Sequence, residues 1–118
     1  MNKILVVDDD PDILTLVQIM LSMNHFSVEG ISRWQDIESS MISFKPDLVL
    51  LDVSLGGADG RDICKKMRQA RETQNIPVIL FSANAEMGNY IEDCLAQAFI
   101  SKPFEPKHLL QTIAYHLN

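Results

Sequence analysis

Four groups of polar side chains in this sequence are suited to chemistry, and each directly follows a short apolar run. They are the acidic triplet 8–10, Asp52, Ser82 and Lys102. Carboxylates that lie close together need positive charge nearby. Two of them about 4 Å apart repel by roughly 4 kcal/mol at an effective dielectric constant of about 20. Lys102 and a hard divalent cation such as Mg²⁺, which prefers oxygen ligands, would both supply positive charge. Together these groups are typical of a phosphoryl-transfer site.

The apolar runs that precede these groups predict buried strands. Residues 4–7, 48–51 and 77–81 are almost entirely apolar and do not alternate with polar residues. Such runs are typical of strands that are covered on both faces, as in a parallel sheet. Weaker strand candidates span residues 27–31 and 98–101.

Segments with helical spacing alternate with these strands. One places apolar residues at i, i+3, i+4, i+7 and i+8 from Ile13, and another covers residues 109–117. The alternating order predicts one doubly wound α/β domain over residues 1–118, with a parallel five-stranded sheet. Ligands bind such sheets at the carboxyl ends of the strands, where the four polar groups lie. Shorter helical candidates span residues 34–44, 59–70 and 86–95.

The composition limits the classes of function. A length of 118 residues suits one domain. The net charge of −6 argues against a general nucleic-acid binder. Cys64 and Cys94 stand alone and are expected to be buried thiols in a reducing compartment. Met1 leads directly into a predicted strand, and no apolar run approaches the ~20 residues of a membrane helix. We therefore expect a cytoplasmic protein with no membrane contact.

Four segments, taken together, resemble the signature of the response-regulator receiver domain of two-component signalling. They are residues 3–10 (KILVVDDD), 49–52 (VLLD), 80–83 (LFSA) and 99–104 (FISKPF), and the resemblance covers the whole chain. It implies a single flavodoxin-like (βα)5 domain with strand order 2-1-3-4-5. It also implies a phosphorylated signalling domain that is not an enzyme.

The resemblance implies a role for each matching acidic residue. Asp52 would be the phosphoacceptor and would take a phosphoryl group from a sensor histidine kinase or a histidine phosphotransfer protein. Asp8, Asp9, Asp52 and the backbone carbonyl of Ser54 would bind Mg²⁺. Asp10 is instead assigned to capping the first helix, because Asp followed by Pro is a common helix start.

The resemblance also implies a switch. Lys102 would hold one phosphoryl oxygen, and Ser82 would close onto another after transfer. Phe99 would then rotate inward and remodel the face formed by residues 86–95 and 99–117. That face would contact a downstream effector that the sequence does not identify, or a second copy of the chain in a homodimer.

The chain departs from the family pattern at several positions. Residues 55–57 are Leu-Gly-Gly where a Met-Pro-like pair is usual, which predicts a looser loop. Leu95 stands where a glycine commonly ends the fourth helix. Ser54 and Asn84 occupy positions that tune dephosphorylation in the family. Lys102-Pro103 is expected to be a cis peptide, as in the family.

Two alternatives use the same residues. The Asp8-x-Asp10 pattern also fits a phosphatase of the haloacid-dehalogenase type, but that family places a further acidic pair after its lysine, and only Glu105 follows Lys102 here. The other alternative is a receiver-like scaffold that binds partners without being phosphorylated. The complete set of site residues argues against it.

Overall fold

The computed structural model describes residues 1–84, 86 and 91–117. Five parallel strands form the main sheet in the order β2-β1-β3-β6-β7, and β4 and β5 form a separate two-stranded hairpin. The predicted fold class is confirmed, and so is the order 2-1-3-4-5 when the hairpin strands are not counted. The strands are β1 (Lys3–Val7), β2 (Ser27–Ile31), β3 (Leu48–Asp52), β4 (Ser54–Leu55), β5 (Ala58–Asp59), β6 (Val78–Ser82) and β7 (Ala98–Ser101).

Helices connect successive strands of the main sheet. The predicted helix 34–44 is a 3-10 turn (Trp34–Asp36) followed by a regular helix. Part of the predicted helix 86–95, namely residues 87–90, lies outside the described residues. No helix in the described part of the chain is long and apolar enough to cross a membrane. The helices are α1 (Pro11–Met23), α2 (Ile37–Ser43), α3 (Gly60–Gln69), α4 (Ile91–Cys94) and α5 (Pro106–Leu117).

The sheet is covered on both faces, which explains the unbroken apolar runs. In β1, Ile4 faces a core completed by α1 and α5, whereas Leu5 faces the core of α2 and α3. All residues of β3 and β6 are buried. Because each buried aliphatic side chain stabilises the fold by about 1.5–3 kcal/mol, the two cores hold the strands in fixed register.

Local signals define the start of α1 and the end of α4. The carboxylate of Asp10 accepts a hydrogen bond from the Asp12 amide at 3.0 Å, and Pro11 occupies the first helical position. The capping assignment of Asp10 is therefore confirmed. Leu95 follows α4 with φ of 65°, a left-handed conformation that favours glycine. The chain thus makes the usual helix exit with a residue poorly suited to it.

Two glycines differ in what a side chain would meet. The Gly60 amide donates to the Val53 carbonyl at 2.7 Å, and a Cβ at Gly60 would collide with the backbone carbonyl of Asp52. A Cβ at Gly30 would meet only the end of the flexible Gln18 side chain. We expect Gly60→Ala to lower the free energy of unfolding by about 2 kcal/mol or more, because rigid backbone must move.

Gly30→Ala is the matched control. It should lower the free energy of unfolding by less than about 1 kcal/mol, because Gln18 can change rotamer. Urea unfolding followed by circular dichroism measures both values. An equal loss of stability in the two variants would contradict the conclusion that the start of α3 lies too close to the end of β3 for a side chain at position 60.

Candidate functional site

The carboxyl edge of the main sheet brings the predicted residues together. Asp52 ends β3 and Ser82 ends β6, while Asp8 and Lys102 directly follow β1 and β7. The Lys102 amide donates to the Ser82 carbonyl at 2.8 Å, which aligns the ends of β6 and β7. Residues that lie far apart in the sequence therefore meet at one point.

One ammonium group serves two buried carboxylates at this point. Lys102 Nζ lies 2.9 Å from Asp8 Oδ2 and 3.3 Å from Asp52 Oδ2. Asp8 is fully buried and Asp52 is 4% exposed. Charges taken out of water are costly unless they are paired and hydrogen-bonded. One positive charge between two negative ones leaves the buried group with an excess of negative charge.

Asp9 adds a third carboxylate on the solvent side. Oxygen atoms of Asp8, Asp9 and Asp52 lie within 4.8 Å of one another. The Gly56 amide donates to Asp9 Oδ2 at 3.2 Å and the Ser54 amide to Asp52 Oδ1 at 3.4 Å. Three carboxylates at this spacing are hard oxygen donors with uncompensated charge, so the residues fit a divalent cation such as Mg²⁺.

The electrostatics of the site act most strongly on Asp52. The pKa of its carboxyl group is raised from 3.8 to about 6; burial contributes most to the rise, the negative charge of Asp8 adds to it, and Lys102 opposes both effects. Above this pKa Asp52 is a carboxylate, held in a position where its charge is poorly compensated. A perturbed acid of this kind among convergent charges is typical of a functional site.

The two proposed switch residues lie on the neighbouring strands β6 and β7, in different environments. Ser82 is buried, and its Oγ accepts a hydrogen bond from the Asn84 amide at 3.0 Å. Phe99 is half-buried in β7 and packs against the core on the α2 and α3 side. The Ser82 hydroxyl therefore already has a backbone partner, and Phe99 is partly open to solvent.

Some contacts in the site have no signal in the sequence. Lys102 Nζ lies 4.5 Å from the ring centroid of Phe81, a residue that reads as a plain core aromatic. Gly56 and Gly57 form the two-residue turn of the β4–β5 hairpin, with φ of 84° at Gly57. The Gly-Gly pair was an available hairpin signal. The Lys102-Pro103 peptide is cis, as predicted.

Comparison with known proteins identifies the family. The family model for the response regulator receiver domain matches residues 4–114. This chain therefore belongs to the receiver-domain family of two-component response regulators.

Individual relatives agree with this assignment. The chain is 31% identical to the DNA-binding dual master transcriptional regulator RpaA of Synechocystis, over 96% of this chain and 48% of RpaA. It is also 31% identical to the phosphate regulon regulatory protein PhoB of Pseudomonas aeruginosa, over 92% of this chain and 48% of PhoB. The chain thus spans about half the length of these curated relatives.

Solved structures share the fold. The BeF₃-activated receiver domain of Klebsiella pneumoniae RstA superposes with a TM-score of 0.88 at 32% identity, covering 99% of both chains. A response regulator structure from Chloroflexus aurantiacus gives a TM-score of 0.92 at 24% identity, covering 98% of this chain and 97% of that one. The second likeness supports the fold alone.

The raised pKa of Asp52 predicts a pH-dependent cost in stability. Below pH 3.8 the carboxyl group is protonated in both the folded and the unfolded chain, so the stability linked to this group is fully present. As the pH rises through about 6 that stability is lost, because the folded protein must then carry the buried charge.

Asp52→Asn should therefore be more stable than the wild-type protein at neutral pH, by about 2 kcal/mol in the absence of divalent cations. The difference should shrink toward zero near pH 4. Urea unfolding of both proteins in EDTA, at several pH values, measures this. A difference in stability that does not change with pH would show that it does not come from the buried charge of Asp52.

Proposed function

We propose that Asp52 accepts a phosphoryl group from a phosphohistidine on a sensor histidine kinase or a histidine phosphotransfer protein. A carboxylate oxygen of Asp52 would form the new bond to phosphorus while the bond from phosphorus to the imidazole nitrogen breaks. The leaving imidazole then takes a proton from solvent. The observation that carries this proposal is the convergence of Asp52, Asp8 and Lys102 in one buried group.

The proposed cofactor is Mg²⁺. Asp8, Asp9 and Asp52 would hold it, together with the backbone carbonyl of Ser54. When bound, Mg²⁺ supplies positive charge toward the phosphoryl oxygens as negative charge develops on them. The excess negative charge of the three carboxylates supports this assignment.

The remaining steps depend on the residues of this chain. Asp52 is ionised at neutral pH, since its pKa is about 6, and is therefore competent as a nucleophile. The strand end of β3 fixes its direction of approach, which suits a transition state that needs positioning more than covalent help. Lys102 would exchange its contact with Asp52 for a contact with a phosphoryl oxygen.

The proposed setting is that of a signalling domain in the cytoplasm. Cys64 and Cys94 are both buried and are not joined in a disulfide, which suits a reducing compartment. The net charge of −6 favours output through a protein effector rather than direct nucleic-acid binding by this domain. The domain would be modified once per signal and would not turn over a substrate. The family match disfavours the phosphatase alternative.

Phosphorylation can be tested directly on this chain. Incubation with phosphoramidate and Mg²⁺, followed by intact mass spectrometry, should add one phosphoryl group to the wild-type protein. Asp52→Asn should remain unmodified. Asp9→Asn should be labelled at least about tenfold more slowly, because one cation ligand is lost.

Asp10→Asn is the matched control, since asparagine also caps helices well and Asp10 lies outside the cluster. It should be labelled at the wild-type rate. Addition of EDTA should stop labelling of the wild-type protein. An unmodified wild-type protein, in conditions that label another receiver domain, would instead favour the unphosphorylated scaffold.

The proposed output step involves Ser82 and Phe99. The Ser82 hydroxyl would leave the Asn84 amide and bind a phosphoryl oxygen, and Phe99 would turn inward into the space released. The remodelled face would comprise residues 86–95 and 99–117, and it would contact an effector or a second copy of the chain. Phe99 is half-buried, so an inward turn of its ring would remove more of the ring from solvent.

Nuclear magnetic resonance tests the switch. Saturation with beryllofluoride and Mg²⁺ should shift the amide signals of β7 and α5 in the wild-type protein. In Ser82→Ala the mimic should still bind, but the shifts around Phe99 should be reduced, because the hydroxyl that couples the two sites is absent. Unchanged shifts along β7 and α5 in the wild-type protein would refute the switch.

A further inference from the structure

Phe81 contacts the ammonium group at the centre of the site. It is the penultimate residue of β6, is 1% exposed, and belongs to the core completed by α1 and α5. Its ring centroid lies 4.5 Å from Lys102 Nζ, and the Lys102 side chain is only 12% exposed. A cation over an aromatic face is attracted by the ring quadrupole, most strongly where water is largely excluded.

Lysine is hard to hold in one place, because its charge sits on a flexible four-carbon stem. In this site the ammonium also has two competing carboxylates, at 2.9 Å and 3.3 Å. The charge of one of them, Asp52, would change during phosphoryl transfer. The ring of Phe81 is neutral, so its attraction for the ammonium does not depend on the state of Asp52.

We propose that Phe81 is a positioning residue for phosphoryl transfer, whose ring holds the Lys102 ammonium at the point where the phosphoryl oxygens arrive. This proposal rests on the proposed function. An aliphatic side chain in its place would fill the core but would not attract the ammonium. The ammonium would then spend less time in the productive position, and labelling of Asp52 would slow.

A fluorinated phenylalanine series at position 81 separates attraction from packing. Successive fluorination weakens the ring quadrupole while nearly preserving ring shape. In the full chain, the rate of labelling of Asp52 by phosphoramidate and Mg²⁺ should fall stepwise from phenylalanine to pentafluorophenylalanine, by about threefold to tenfold in all. Phe81→Leu should lose at least as much.

The same series at Phe26 is the matched control. Phe26 is partly buried against the same core but precedes β2, at the opposite edge of the sheet. Its fluorination should leave the labelling rate unchanged. A rate that is insensitive to fluorination at Phe81, or that falls equally in the Phe26 series, would overturn the proposal. Thermal unfolding of each variant checks that it is folded.

A second readout does not depend on phosphorylation. In the metal-free wild-type protein, the methylene protons of Lys102 next to the ammonium should show an upfield ring-current shift, which Phe81→Leu should abolish. Absence of that shift in the wild-type protein would overturn the proposed contact. If the shift is present but Asp52 is never labelled, the proposed function fails, and Phe81 has no role in transfer.

Discussion

The site depends on one electrostatic constraint: a single ammonium group must serve two carboxylates that are nearly out of contact with water. Lys102 approaches both Asp8 and Asp52 from the end of β7. This arrangement requires three strands to end at the same level, and it requires both faces of the sheet to be covered so that the charges remain desolvated. The raised pKa of Asp52 follows from the same constraint: burial raises it most, and the charge of Asp8 adds to the rise because one ammonium group does not compensate both carboxylates.

Much of this arrangement could be predicted from the sequence, because the relevant signals are local. Unbroken apolar runs indicated strands that are covered on both faces, and the polar residue after each run marked the carboxyl edge. The assignment of Asp10 to a helix cap separated it correctly from the neighbouring cluster, since the Asp-Pro start of a helix is also a local signal. Which of the clustered groups takes the phosphoryl group stays a prediction.

Other features depend on tertiary contacts that no short pattern encodes. The ring of Phe81 reads as ordinary core, and its contact with Lys102 exists only because β6 and β7 are neighbours in the sheet. Lys102 Nζ also lies closer to Asp8 than to Asp52, at 2.9 Å against 3.3 Å, and no sequence pattern predicts so small a difference. The Gly-Gly pair predicts a looser loop, yet Gly56 and Gly57 close a hairpin, and the Gly56 amide donates a hydrogen bond to Asp9.

The geometry suggests how the site could tolerate a change of charge on Asp52. Asp8 is fully buried, lies closer to Lys102, and also accepts a hydrogen bond from the Asp10 amide at 2.9 Å, next to the start of α1. Asp8 and Lys102 therefore form the fixed pair, and Asp52 is the variable member of the group. If Asp52 is phosphorylated as proposed, Lys102 would exchange its contact with Asp52 for one with a phosphoryl oxygen and would keep its contact with Asp8. The ion pair of Asp8 and Lys102 would thus remain while the strand ends around Asp52 adjust to the new charge.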